Sequence, residues 1–144
     1  GDGGLDVLCG GAAAPPAAVA GGGTDRIVTA IELPATDIVG HPTGRQLNRR
    51  SGLDLDFETV GKAAAEAGVA LEINANPRRL DLRGAAVKQA VEQGATVVVD
   101  TDAHRPESYA YIRYGVHAAR RGWAEPADVL NTQPVSGVRR FLDG

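Results

Sequence analysis

The chain has 144 residues, enough for one domain with a modest core. Its 15 basic and 18 acidic side chains leave a net charge of −3, so the total charge calls for neither nucleic acid nor a membrane as partner. The single cysteine, Cys9, excludes an internal disulfide and a cysteine-based zinc site and fits a reducing cytoplasm, and no apolar stretch is long enough to cross a bilayer. Methionine is absent, so the chain is expected to be a piece of something longer or a processed product.

Residues 1–23 read differently from the rest. From Leu8 to Gly23 the composition is Ala, Gly and Pro without periodicity, and Pro15-Pro16 would break a helix. A flexible linker or remnant is expected there. The regular part, 24–144, begins with a helix capped by Thr24 or Asp25 that turns Ile27, Val28 and Ile31 inward and stops at Pro34. Asp37-Ile38-Val39-Gly40 reads as a short strand with His41 at its end. After a polar loop holding Arg45, Arg49 and Arg50, Asp54 or Asp56 caps a helix with Phe57, Val60, Ala64 and Ala67 on one face. Gly68 ends it in the usual left-handed position.

The next strand is Val69 to Asn74, with Leu71 and Ile73 on one side and Glu72 and Asn74 on the other. A loop follows with Asn76, Arg78, Arg79 and Asp81, then a helix over 83–93 that buries Val87, Ala90 and Val91. Val97-Val98-Val99 reads as a buried parallel strand running into Asp100-Thr101-Asp102-Ala103-His104. Beyond Pro106 a helix over 107–121 turns Ile112, Val116 and Ala119 inward, Asp128 to Asn131 reads as one more strand, and 136–142 as a closing helix. Helix, stop, strand and polar loop thus alternate three times, which predicts an α/β fold with a parallel sheet or barrel.

Parallel strands present their C-terminal ends together, so His41, Asp102 and His104 are expected on one rim. Imidazole and carboxylate are good ligands for a divalent metal, and two His with one Asp suit a hydrolytic site. The alternatives are that Thr101 or Asp102 caps a helix, and that each is an ordinary loop residue. Arg45 and Arg78 stand a few residues past strand ends, where a guanidinium can meet phosphate oxygens. Glu72 suits a structural hydrogen-bonding role and His117 a surface position. Arg113, Arg120 and Arg121 suit a solvated helix face, and Trp123 a packing role.

Gly40-His41-Pro42-Thr43-Gly44-Arg45, Leu71-Glu72-Ile73-Asn74-Ala75-Asn76-Pro77, Arg79-Leu80-Asp81-Leu82 and Thr101-Asp102-Ala103-His104 occur in that order. With Arg113-Tyr114-Gly115-Val116 and Val129-Leu130-Asn131-Thr132, the set resembles the C-terminal part of the PHP (polymerase and histidinol phosphatase) domain, as found at the end of bacterial family X DNA polymerases. The resemblance implies the C-terminal portion of a distorted, TIM-like β/α barrel, open or incomplete in this chain. It implies a cluster of Mn or Zn ions and phosphodiester or phosphomonoester hydrolysis, with 3′-5′ exonuclease action on DNA. By position, His41, Asp102 and His104 match metal ligands of the family.

The sequence also departs from that pattern. The family begins with an His-x-His strand and further His and Glu ligands, whereas the histidines here are His41, His104 and His117. Loss of ligands predicts a weak or inactive enzyme, and a truncated, non-catalytic domain is the competing expectation. A histidinol-phosphatase-like phosphomonoesterase is a third. Four strands cannot close a barrel, so open sheet edges are expected to pair with another chain, as in a homo-oligomer, or to aggregate.

Overall fold

A computed structural model describes residues 7–8 and 22–143. The tract expected to be a linker lies outside them, apart from Val7–Leu8 and Gly22–Gly23. The chain forms β1 (Val7–Leu8), α1 (Gly23–Ile31), β2 (Ile38–Val39), α2 (Phe57–Ala67), β3 (Ala70–Asn74), α3 (Gly84–Glu92) and β4 (Val97–Asp100). A 3₁₀ segment (Pro106–Tyr111) leads into α4 (Ile112–Arg121), and two single 3₁₀ turns precede α5 (Val135–Leu142). Among the described residues no helix is long and apolar enough to cross a membrane.

The sheet runs β1-β2-β3-β4. β2, β3 and β4 are parallel, with Ile38 opposite Ala70 and Leu71 opposite Val97, while β1 pairs antiparallel to β2. Every residue of β3 is buried. Leu71 and Ile73 join Val97 and Val99 in one core with Ile27, Val60 and Val87 from the helices. Alternation along the strands sends Glu72, Asn74 and Asp100 the other way.

Helix starts and stops follow local chemistry with small shifts. Asp56 caps α2, accepting from the N–H groups of Glu58 (3.1 Å) and Thr59 (3.3 Å), and Gly68 closes it at φ +68°. α1 begins at least two residues earlier than expected, at Gly23 with Gly22 as its cap, so neither Thr24 nor Asp25 caps it. Thr24 instead accepts the Asp56 N–H at 3.0 Å and ties the two helix starts together.

The inward faces of α2 and α4 differ from the expected ones because small residues let backbones close up. In α2, Gly61 faces inward and Ala67 is exposed; a Cβ at position 61 would lie 2.7 Å from the Cα of Ala90 in α3. In α4, Gly115 and Ala119 are buried, while Ile112 and Val116 are 40% and 42% exposed. A Cβ at 115 would lie 2.4 Å from Val99, so the helix rests on the sheet through its glycine face. Trp123 does not pack: it is 78% exposed at a left-handed position, φ +59°. α5 buries none of its residues fully, so it closes less of the core than its apolar side suggests.

Residues 128–131 form 3₁₀ turns rather than a strand, with one parallel bridge between Val97 and Val129. Asn131 completes the edge instead. Its Oδ1 accepts the Val99 N–H at 2.7 Å and its Nδ2 donates to the Val99 carbonyl at 2.9 Å, as a neighbouring strand would. The β4 edge is therefore not the open one that the strand count suggests. Replacing Asn131 by Ala removes both bonds and should lower stability by about 1–2 kcal/mol in denaturant titration, with concentration-dependent association. An unchanged midpoint and a clean monomer would show that the side chain does not guard the edge.

Candidate functional site

β2, β3 and β4 end side by side, and the loops leaving them carry unusual backbone. His41 (φ +30°), Leu80 (φ +47°) and Asp102 (φ +50°) are left-handed non-glycine residues in the three loops, and Asn48 (φ +62°) is a second one in the loop after β2. Such positions cost about 1–3 kcal/mol each and persist where surrounding contacts impose them. Two of the four, His41 and Asp102, are residues that the sequence marks for chemistry.

His41 is buried where β2 ends. Its backbone N–H donates to the Glu72 carboxylate, and its Nδ1 lies 3.5 Å from Glu72 Oε2. Glu72 also shares a hydrogen bond with Asp100 at the end of β4 and receives Asn74 Nδ2 at 3.4 Å. Burial pushes the Glu72 carboxyl up, but His41 and Asp100 together hold it below the usual range. Burial, then the neighbouring Glu72, push Asp100 up to about 8. A buried and a half-buried carboxyl thus hold one proton between them, Glu72 charged and Asp100 protonated.

Asp102 and His104 form the outer part of the rim. The Asp102 N–H donates to Asp100 Oδ1 at 3.0 Å, and its carboxylate lies 3.8 Å from His104 Nδ1 and 3.6 Å from Arg79 Nε. His104 Nδ1 sits 2.8 Å from the Asp102 carbonyl oxygen. A carbonyl only accepts, so in the neutral ring Nδ1 carries the hydrogen and Nε2 offers a lone pair. The ring is 82% exposed, which leaves that lone pair open to solvent.

The loops are fastened to one another. Asp81, fully buried, accepts the Thr43 N–H at 3.1 Å and the Thr43 hydroxyl at 2.9 Å, and burial raises its pKa. Arg45 donates from Nε to the Arg79 carbonyl at 2.8 Å and from Nη2 to the Leu80 carbonyl, with burial lowering its pKa. Its guanidinium is thus engaged in holding the loop after β3. Arg78 is exposed, and its backbone N–H donates to Asn76 Oδ1 at 3.0 Å.

The structure brings Asp102 to His104, and brings both His41 and Asp100 to Glu72, in the region where β2, β3 and β4 end. It does not gather His41, Asp102 and His104 at one point, because β3 stands between β2 and β4. Among the described residues no three His, Cys, Asp or Glu side chains converge on a possible metal position. The donor chemistry of the Asp102–His104 pair suits a divalent cation; completing a coordination shell needs donors that this pair does not have beside it. Glu72, Asp100 and Arg79 were not singled out from the sequence for the site. Glu72 and Asp100 were signalled by strand alternation, which puts both on the side away from the helices.

The fold and rim define an α/β protein of alternating helices and parallel strands with its polar residues collected at the strands' carboxyl ends. No family model matches the chain. It is 44% identical over 117 residues to the DNA polymerase/3′-5′ exonuclease PolX of Bacillus subtilis (strain 168), covering 81% of this chain and 20% of that protein. Probable phosphatases of Shewanella sp. strains ANA-3 and MR-4 are each 37% identical over 87 residues, 56% of this chain and 32% of theirs. These similarities are consistent with a C-terminal PHP domain. It spans about a fifth of the length of the polymerase and about a third of the phosphatases.

The shared proton gives a stability signature. Asp100 binds its proton up to about pH 8 in the folded chain, against an ordinary value of 3.8 when unfolded. A raised folded value means that its contribution is full below pH 4 and is lost as pH rises through about 8. In metal-free buffer, denaturation midpoints of the wild type should therefore fall between pH 5 and 8 relative to Asp100→Asn, whose amide does not titrate. Parallel profiles for the two proteins would show that no proton is held there.

Proposed function

We propose that this chain is the C-terminal part of a PHP-type, metal-dependent phosphoesterase, a 3′-5′ exonuclease module acting on DNA, and that it is impaired on its own. The single observation that supports this most is that His41, after β2, and Asp102 and His104, after β4, follow the carboxyl ends of parallel strands of one sheet in a chain 44% identical to a polymerase/exonuclease. On this reading the three parallel strands are an arc of a distorted β/α barrel. His41, Asp102 and His104 would hold divalent Mn or Zn. A metal bound there supplies an acidified water and offsets charge on the phosphoryl oxygens. The chain's own residues do the rest: His104 offers its Nε2 lone pair, Asp102 its carboxylate, and exposed Arg78 a forked donor for phosphate. Arg45 acts through the loop that it fastens.

The impairment follows from the donor count, since a centre needing several ligands loses affinity steeply when they do not converge. That same observation favours a second reading, a non-catalytic domain that folds and binds a partner. A second copy would then pair along the sheet beyond β1, because Asn131 occupies the β4 edge. The phosphatase relatives favour a phosphomonoester as the alternative substrate.

Metal content after dialysis against Mn or Zn, with assays on 3′-labelled single-stranded DNA and on p-nitrophenyl phosphate, separates these readings. The expected result is weak uptake and slow trimming of the DNA end, both reduced at least about tenfold in His104→Ala. A stable fold with no uptake supports the non-catalytic domain. Preference for p-nitrophenyl phosphate supports the phosphomonoesterase, and cleavage at rates typical of nucleases removes the impairment.

A further inference from the structure

We propose that the cavity between the loop after β2 and the start of α3 binds a small organic phosphate, which donates a neutral N–H or O–H to Asp81 and places its phosphate against Arg83. The inference is independent of the reaction proposed for the strand ends. The cavity has a volume of about 250 Å³. That is small beside the roughly 300–1,000 Å³ of sites for drug-sized molecules. Buried Asp81, Leu55 and Phe57 line it, and so do exposed Ser51, Asp54 and Arg83. It thus has an apolar wall, one buried carboxyl and a charged, exposed side.

Asp81 is fully buried, and only one of its oxygens is engaged. Oδ2 accepts the Thr43 N–H at 3.1 Å and the Thr43 hydroxyl at 2.9 Å, whereas Oδ1 has no hydrogen-bond partner among the described residues. A buried acceptor left unpaired keeps its full desolvation cost, so a donor brought by a ligand gains more here than at the surface. Arg45 lines the same cavity, but its Nε and Nη2 donate to the carbonyls of Arg79 and Leu80. It acts on Asp81 as a nearby positive charge. A second cation would be repelled by that charge, so the group that suits Oδ1 is a neutral donor.

The exposed side favours an anion. α3 starts from Arg83, no side chain caps it, and its first turn has no acidic residue. Ala85 and Ala86 of that turn line the cavity. The partial positive charge at the start of this nine-residue helix is thus added to the Arg83 guanidinium. Arg83 also acts on Arg45 as a like charge, which an anion offsets. A forked guanidinium beside a helix start matches phosphate oxygens. Asp54 on the same side repels further negative charge, so one phosphate suits the site and a polyphosphate or a nucleic-acid strand does not. Leu55 and Phe57 leave an apolar wall for the body of the molecule, a sugar or a nucleobase.

Calorimetric titration of the whole chain in metal-free buffer tests this with phosphomonoesters that differ in their donors. Ribose 5-phosphate carries O–H donors, deoxyadenosine 5′-monophosphate adds base N–H donors, and methyl phosphate has neither. Ribose 5-phosphate, the nucleotide or both should bind at least about tenfold more tightly than methyl phosphate. Binding of ribose 5-phosphate assigns the donor to a sugar hydroxyl, and binding of the nucleotide alone assigns it to the base. Arg83→Gln, at an exposed position, should weaken that binding about tenfold. Equal affinity for all the probes, no binding of any, or unchanged binding in Arg83→Gln overturns the proposal.

NMR of the wild type locates the donor without a buried substitution. The Asp81 carboxyl carbon should shift with the tighter ligand and stay in place with methyl phosphate. An Asp81 signal unmoved at saturation by the tighter ligand would mean an anion held by Arg83 alone, and it also overturns the proposal.

Discussion

The carboxylate of Glu72 is the interaction on which the rim depends. It sits on the fully buried strand β3 and reaches both neighbours, taking the N–H of His41 after β2 and sharing a proton with Asp100 on β4. Burying one charge is costly unless hydrogen bonds repay it. Here the repayment comes from the two adjacent strands, so the ends of β2, β3 and β4 are locked in register by the same group. A buried polar network of this kind specifies one arrangement strongly when every member is satisfied.

Around that network the loops are held by side chains that read as functional but spend their capacity on structure. Arg45 secures the carbonyls of Arg79 and Leu80, and Asp81 secures Thr43. The left-handed residues His41, Leu80 and Asp102 are tolerated because these contacts leave the chain no cheaper course.

Element order and type were legible in the sequence because apolar periodicity and punctuation agree: Asp56 before α2, Gly68 after it, Val97 to Val99 as a strand. The sites of disagreement have physical causes. Ile112 and Val116 read as core by hydrophobicity, but Gly115 lets the backbone of α4 approach Val99, which rotates the apolar pair outward. Residues 128–131 read as a strand by composition, and the Asn131 amide does the pairing that a strand's backbone would do. His41, Asp102 and His104 were legible as strand-end residues. The pairing of Arg79 with Asp102 was not, because it joins loops from two strands and leaves no local pattern.

The chain thus presents a preformed rim in which one proton and one guanidinium stand among carboxylates, at the carboxyl ends of its parallel strands. Site-resolved titration of the side-chain carboxyl carbons by NMR, on metal-free protein, tests this most directly. The account predicts that Asp100 titrates near pH 8 while Glu72 stays charged to below its ordinary range. Two carboxyls both titrating near pH 4 would mean that the pair shares no proton, and the rim would lose the interaction that holds it.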